Sequence, residues 1–328
     1  MRTSFPACFR LLPSAFCLGV VMTCAPAGAQ VYPAKPIRLI VPFAPGGGVD
    51  FIARLVGQKL GEALGQQIIV ENRPGAGSSI GTEVAIRSAP DGYTLLEISP
   101  SYTINPSLIP TRFDPLKDYT PVVLIGKGPF VVVAHPSLPV RDGKQLIALA
   151  RARPGEIIYG SSGQGTIVHL STELYLHMAG VKMIHVPYKG GGPALTDVIA
   201  GQISLVFSPP QTGLPHVKAG RVRAIGMTSA TRIPTEPDIP TLAESGVLGY
   251  EATNWHAMIG PKGLPRAVVE RINGEVRKIV AQKDMENTLH ASGVFPGGGG
   301  TPGELRELIR KDYEQWRKVV IQAGLKPE

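Results

Sequence analysis

The sequence predicts an α/β protein made of two units of similar build, each a mostly parallel sheet flanked by helices. Short apolar runs rich in Val, Ile and Leu alternate with stretches of helical period. Between Pro36 and Ile98 the order is strand, helix, strand, helix, strand, and so close a succession demands parallel pairing through crossover helices. The same alternation returns in the middle of the chain.

In the first unit, Ile37 to Val41 reads as a buried strand. It is closed by Pro42-Phe43-Ala44-Pro45-Gly46-Gly47-Gly48. A helix follows from about Asp50, with Phe51, Ile52, Leu55, Val56, Leu60 and Leu64 as its apolar stripe and Gly65 as its stop. Ile68 to Val70 is the next strand, a helix runs through Ala85-Ile86, and Tyr93 to Ile98 is a third strand. In the second unit, strands are read at Phe130 to Ala134, Ile157 to Tyr159, Lys182 to Val186 and Leu205 to Phe207. Helices are read from Asp142 to Arg151, after Thr166 to about Met178, and from Ala194 to Ala200. A Pro-rich passage from Arg232 to Pro240 precedes two closing helices, Pro265 to Val280 and Pro302 to Ala323. Residues 297–300, four glycines, read as a linker.

The first 29 residues form a separate object. Arg2 and Arg10 make a basic start, residues 16–22 are apolar, and Ala27-Gly28-Ala29 supplies small residues for cleavage after Ala29. The apolar run is shorter than the ~20 residues a spanning helix needs. A lipoprotein signal at Cys24 is the rival, but Val21-Met22-Thr23 before it lacks the small residue such signals carry. All three cysteines (8, 17 and 24) lie in this segment, so the mature chain has no thiol nucleophile, thiolate metal site or redox motif. That suits an oxidising compartment.

The chain of 328 residues has a net charge of +8, which becomes +6 once Arg2 and Arg10 are removed. Lys and Arg are scattered, and aromatic residues are only 6% of the chain, so no basic patch with interleaved aromatics exists to bind nucleic acid.

Three Gly-rich loops, at residues 45–50, 74–81 and 160–166, each follow a strand and precede a helix. Ligands of open α/β sheets bind beyond the carboxyl ends of strands, where free N–H groups and the positive end of the helix dipole favour an anion. Ser78, Ser79, Ser161, Ser162 and Thr166 add neutral hydroxyls. The arrangement suits a carboxylate held by hydrogen bonds and dipoles without a full counter-charge. Each loop alone is equally readable as a plain turn; three in the same topological position favour binding.

Enzyme motifs fail. Residues 75–81 read GxGxxxG without a convincing ribose-binding acid downstream. Gly160-Ser161-Ser162-Gly163 is not a nucleophile elbow. His169 on its helix reads as a packing or capping residue, and seven scattered histidines have no metal-ligand spacing. No catalytic residue, metal or cofactor is expected.

A series of landmarks runs through the chain. They are Pro36 to Phe43 with Pro45-Gly46-Gly47 and Asp50; Val70-Glu71-Asn72-Arg73-Pro74-Gly75-Ala76-Gly77; Pro90-Asp91-Gly92-Tyr93-Thr94-Leu95; Tyr159 to Gly163; His185-Val186-Pro187-Tyr188-Lys189-Gly190; Leu214 to Gly220; and Pro240 to Glu244. In this order they resemble the tripartite tricarboxylate transporter receptors, the Bug family of periplasmic binding proteins, over nearly the whole mature chain. The resemblance implies a type II periplasmic-binding (Venus flytrap) fold. Lobe 1 would be 30–128 plus 229–328 and lobe 2 would be 129–228, closing on ligand by a hinge. It also implies carboxylate binding, partly through ordered water, at Phe43, Ala44, Gly47, Asp50, Gly77, Ser78, Ser162, Gly165 and Thr166. The expected protein is a periplasmic monomer that delivers a tri-, di- or aromatic carboxylate to membrane permease subunits. A periplasmic sensor is the alternative; a hydrolase, which would need a nucleophile beside a base, is less favoured.

Two positions depart from the family pattern. Ser208 stands where many relatives carry an Asp able to meet a ligand amine, which argues against an amino-acid ligand. The second loop reads Gly77-Ser78-Ser79 where Gly-Gly is usual, adding a hydroxyl at the cleft.

Overall fold

The structure, a computed structural model, describes residues 1–4, 32–297 and 299–322. The expected cleavage site and the three cysteines lie outside the described residues. By internal contacts the chain divides into Met1–Val31 and Tyr32–Glu328, and every element below belongs to the second unit.

In chain order this unit runs β1 (Ile37–Val41), α1 (Gly48–Leu64), β2 (Ile68–Asn72), α2 (Ser79–Ile86), β3 (Thr94–Ile98), α3 (Ser101–Ile104), β4 (Tyr119–Pro129) and β5 (Val131–Ala134). It continues through α4 (Gly143–Ala152), β6 (Ile158–Ser161), α5 (Ile167–Ala179), β7 (Ile184–Pro187), α6 (Gly191–Ile199), β8 (Leu205–Ser208), α7 (Pro210–Lys218) and β9 (Arg223–Met227). It ends with β10 (Thr253–Pro261), α8 (Arg266–Val280), α9 (Lys283–Ala291) and α10 (Pro302–Gln322).

Two five-stranded sheets result, ordered β2-β1-β3-β10-β4 and β7-β6-β8-β5-β9. Each has three parallel strands joined by crossover helices, then two antiparallel pairings. The parallel part is what the alternating sequence pattern indicates. The antiparallel strand in each sheet is the one entering from the other: β5 follows directly on β4, and β10 returns after β9. The sheets are therefore mixed, and the parallel cores expected from sequence are only their first halves. Strands buried on both faces carry unbroken apolar runs, and Val131–Ala134 are wholly buried.

The sequence reading missed β4 and β10 for physical reasons. β4 contains Pro121, Gly126 and Gly128, which depress strand propensity. The last is required by a close approach: a Cβ on Gly128 would lie 2.0 Å from the Gly293 carbonyl oxygen. β10 carries the polar Asn254 and His256 and two register shifts against β4. The short α3, α7 and α9 were missed as well.

Where the chain crosses between the sheets, Thr228 ties both passages together. Its hydroxyl accepts the Phe130 N–H (2.7 Å) and donates to the Ala252 carbonyl (2.7 Å). Its own backbone pairs with the same two residues, N–H to Phe130 O and carbonyl to Ala252 N–H, both 2.9 Å. The C-terminal helix also links the two halves. Leu305 and Ile309 of α10 pack with core residues of the first sheet, while Trp316 and Val320 join the core of the second.

Candidate binding site between the sheets

The first loop leaves β1 at Val41 and enters α1 with Gly47 as N-cap, and no side chain caps the helix. Among the described residues the N–H groups of Gly48 and Val49 lack partners, as the first turn of a helix leaves them unless something caps it. Asp50 does not supply a ligand-facing charge. Its carboxylate accepts the Gly46 N–H (3.0 Å), Arg54 Nε (3.0 and 3.1 Å) and Asn72 Nδ2 (2.9 Å). Burial would raise its pKa, but these hydrogen bonds and the Arg54 charge outweigh burial and lower it. Asn72 also donates to the Phe43 carbonyl (3.0 Å), so Asp50 and Asn72 together set the loop's shape.

The second loop holds four consecutive residues at positive φ: Gly75 (133°), Ala76 (45°), Gly77 (58°) and Ser78 (105°). For Ala76 and Ser78 this costs of order 1–3 kcal/mol each and needs support from the surroundings. Asn105 gives it, its Nδ2 donating to the carbonyls of Ala76 (3.0 Å) and Gly77 (2.6 Å).

The third loop ends in the N-terminus of α5, capped by Thr166, whose hydroxyl donates to the Gly163 carbonyl (2.7 Å) and accepts the His169 N–H (3.4 Å). Ser162 donates to Thr166 Oγ1 (3.0 Å), and the Gly165 N–H donates to His169 Nδ1 (3.3 Å). His169 stacks on His185 (centroids 4.0 Å apart), which meets Ser161 Oγ at 2.6 Å and stacks on Tyr159. Burial, with His185 adding to it, lowers the His169 pKa to about 3, and burial lowers His185 to about 4. Both rings are neutral scaffolding for the loop. Ser161 is wholly buried, and its hydroxyl also accepts the Gly163 N–H (3.1 Å) and meets the Gly163 carbonyl at the same distance. It has the surroundings of a structural residue, not of an exposed nucleophile.

These loops meet across the cleft. The Ala44 N–H donates to the Lys189 carbonyl (2.9 Å), and the Ile167 N–H donates to Ser101 Oγ (3.1 Å). Between the sheets lies a cavity of about 30 Å³, enough for ordered water rather than a whole dicarboxylate. The first helix terminus contributes Gly47, Gly48 and Val49 to its wall, and the second contributes Ile167 and Val168. Phe43, Ser99, Phe130, Ser162, Gly191, Pro209 and Asn254 complete it, so no charged side chain lines it. Among the described residues the Val168 N–H, like those of Gly48 and Val49, has no hydrogen-bond partner. A second cavity of about 310 Å³ is lined by Gly77 and Ser78 of the second loop and by Tyr188 and Lys189. Phe43 and Ser162 border both cavities.

Of the residues expected at the site, Phe43, Gly47, Gly77, Ser78 and Ser162 therefore line the cavities. Ala44 forms the cross-cleft hydrogen bond, and Thr166 caps α5 behind Ser162. Gly165 instead packs toward Leu108, Asn105 and Ile109 of the opposite half. Ser208 is buried and bonds to Thr212 Oγ1 (2.9 Å) and the Pro209 carbonyl (3.3 Å); its neighbour Pro209 reaches the cavity instead. The sequence reading missed Ser99, Ser101, Asn105, Phe130, Gly191 and Asn254. Ser99 and Ser101 follow β3 at its carboxyl end, the topological position that singled out the three loops, and were findable on that signal. Among the described residues no group of three or more His, Cys, Asp or Glu could hold a metal, and no helix is long and apolar enough to cross a membrane.

Residues 52–325 match the family model of the tripartite tricarboxylate transporter family receptor. The chain belongs to that family. Its members are solute-binding receptors, not enzymes. This receptor is 37% identical over 313 residues to the UPF0065 protein in the tcbD-tcbE intergenic region of Pseudomonas sp. (strain P51), covering 94% of this chain and 93% of that one. It is 36% identical over 305 residues to protein BugT of Bordetella pertussis, covering 92% and 93%. Among solved structures, the R. palustris protein Rpa4515 with adipate superposes at a TM-score of 0.88 and 35% identity, covering 90% of this chain and all (100%) of that one. MatC of Rhodopseudomonas palustris with bound malate gives 0.82 at 28% identity, covering 88% and 100%. The periplasmic binding protein BugD gives 0.87 at 30%, covering 90% and 100%.

Proposed function

We propose that this receptor is exported to the periplasm, captures a small carboxylate between its two lobes and delivers it to the permease subunits of a tripartite tricarboxylate transporter. The observation that carries this reading is the cavity wall. Two helix N-termini border it, their N–H groups at Gly48, Val49 and Val168 unpartnered among the described residues, and no charged side chain is among the residues that line it. Each terminus favours an anion by about 0.3–1 kcal/mol when exposed and up to ~2 kcal/mol when partly buried. The likeness to proteins solved with adipate and malate supports the same ligand class.

In this reading Phe43, Ala44, Gly47, Gly77, Ser78, Ser162, Gly165 and Thr166 form or back the ligand site. Asp50 and Ser208 hold its walls. Lobe 1 comprises 30–128 and 229–328, lobe 2 comprises 129–228, and Thr228 sits at their hinge. The mature chain begins after Ala29 and acts as a monomer. Because the cavity is small, ligand enters an open form and the lobes close on it.

Titration calorimetry of the mature chain against tri-, di- and aromatic carboxylates tests the reading. Stoichiometric binding of at least one is expected, whereas binding of a sugar or a cation with no carboxylate binding would refute it.

A further inference from the structure

β10 sends two polar side chains into the interior beside the cavity, Asn254 at 5% exposure and His256 at 1%; beyond them lies Glu97 of β3 at 0%. Asn254 Nδ2 is 3.0 Å from His256 Nε2, and His256 Nδ1 faces Glu97 Oε1 at 3.6 Å, beyond normal hydrogen-bond length. Both Glu97 oxygens, His256 Nδ1 and Asn254 Oδ1 are buried without a hydrogen-bond partner. Among the described residues no Lys or Arg pairs with Glu97. Burial raises the Glu97 pKa well above the usual range and lowers that of His256 to about 4, so it works against the charged form of each. Apolar residues of the same shape would cost the fold less, since each unpaired buried polar group is unfavourable by about 1–3 kcal/mol. A polar chain that stability does not need, ending at the cavity, calls for a functional reason.

We propose that Asn254 is a recognition point of the cavity, with His256 as its positioning residue, and that together they select carboxylic acids bearing a hydroxyl group. This rests on the carboxylate-binding reading above. With one Nδ2 N–H given to His256 Nε2, Asn254 keeps a second N–H and one acceptor, Oδ1, and it is the acceptor that is buried without a partner. For Nε2 to accept, His256 must carry its proton on Nδ1, on the side of Glu97, so the tautomer and the amide orientation fix each other. A free Oδ1 needs a donor. An ionised carboxylate has none, whereas a ligand hydroxyl has one. An ammonium could donate as well, but the cavity wall holds no carboxylate to offset its buried charge. The division of labour follows: helix N-termini take the carboxylate, and Asn254 reads the hydroxyl beside it.

Matched acids that differ only in the hydroxyl test this: malate against succinate, citrate against tricarballylate, and mandelate against phenylacetate. Calorimetry on the mature wild type is expected to favour the hydroxylated member of the pair it binds best by about tenfold or more, the penalty of leaving a buried acceptor unpaired. In Asn254→Ala that ratio should fall to about twofold or less. In His256→Ala, which frees the amide to turn, the ratio should fall likewise. A general loss of stability, followed separately by Tm, would not change a ratio. Equal binding of both members by the wild type, or a ratio that survives in Asn254→Ala, would overturn the inference and leave the carboxylate reading standing. Failure of the wild type to bind any of the six acids would overturn the inference, and failure to bind any acid of the wider carboxylate panel would overturn both.

Discussion

The backbone N–H of Ala44, beyond the first strand of one sheet, donates to the carbonyl of Lys189 beside the other sheet at 2.9 Å. This hydrogen bond and the glycine contacts around it bring the loops of the two sheets together, the contact that a closed form of the proposed receptor would use. A Cβ on Gly192 would lie 2.8 Å from the Pro45 carbonyl oxygen, and one on Gly190 3.1 Å from the Ala44 nitrogen. The Lys189 loop, a family landmark in the sequence with no role assigned to it, is thus half of the closing contact.

Gly192→Ala should therefore separate folding from closure. Gly192 lies in the first turn of α6 without positive φ, where Ala is favoured by up to about 1 kcal/mol. The added methyl has no space only when the lobes meet. Tm without ligand should hold or rise, while ligand affinity by calorimetry should drop by about tenfold, an effect of about 1.4 kcal/mol. Unchanged affinity would show that Gly192 and Pro45 are apart in the bound state.

Thr228→Val keeps the shape of the side chain but removes the hydroxyl that serves Phe130 and Ala252. Both backbone groups lie in buried crossing segments, so the loss should be about 2–3 kcal/mol in urea denaturation. The variant should also show altered closure kinetics in stopped-flow measurements. A loss under about 0.5 kcal/mol would mean that water replaces the hydroxyl and that the hinge is wetter than described.

The stacked histidines make stability depend on pH in a calculable direction. His169 is held neutral in the fold, its pKa lowered to about 3 by burial and by His185, although Glu173 stands 3.9 Å from its Nε2. A lowered folded pKa means that its contribution is complete above about pH 6.5 and is lost as pH falls toward 4, where the unfolded chain binds the proton. The stability gap between wild type and His169→Asn should narrow by up to roughly 3 kcal/mol between pH 7 and pH 4. Glu97, with its raised pKa, acts in the opposite sense by favouring the fold at acid pH, so the difference between the two proteins is the informative quantity. A gap constant with pH would mean that His169 titrates normally.

Much of this was legible in the sequence because it lies in strand–loop–helix units with strong periodicity. The end of β1 at Val41, the three loops and the order of motifs all emerge from local pattern, and those loops bring Phe43, Gly47, Gly77, Ser78 and Ser162 to the cavities. What escaped depends on partners distant in sequence. Asp50, expected among the ligand contacts by resemblance, shows its wall-holding role only when Arg54 and Asn72 are brought to it. Ser208 occupies a position suited to a ligand group, but its hydroxyl turns back to Thr212. Asn254 could not be singled out because β10 is a strand only through its neighbours β3 and β4, and its own residues alternate poorly. The positive-φ run through Ala76 and Ser78 is likewise visible only with Asn105 in place.

The most direct test of the whole account is binding of the carboxylate panel to the mature wild type beside Gly77→Val. A Cβ at Gly77 would meet the Gln164 carbonyl oxygen at 2.3 Å and Asn105 Nδ2 at 2.4 Å, so the substitution wedges the second loop away from the third. The account predicts one-to-one binding of a small carboxylate by the wild type, with a ligand-induced rise in Tm that Gly77→Val abolishes while staying folded. Equal ligand-induced stabilisation of both proteins would remove the loops from the site, and a wild type stabilised by no carboxylate would contradict the central claim.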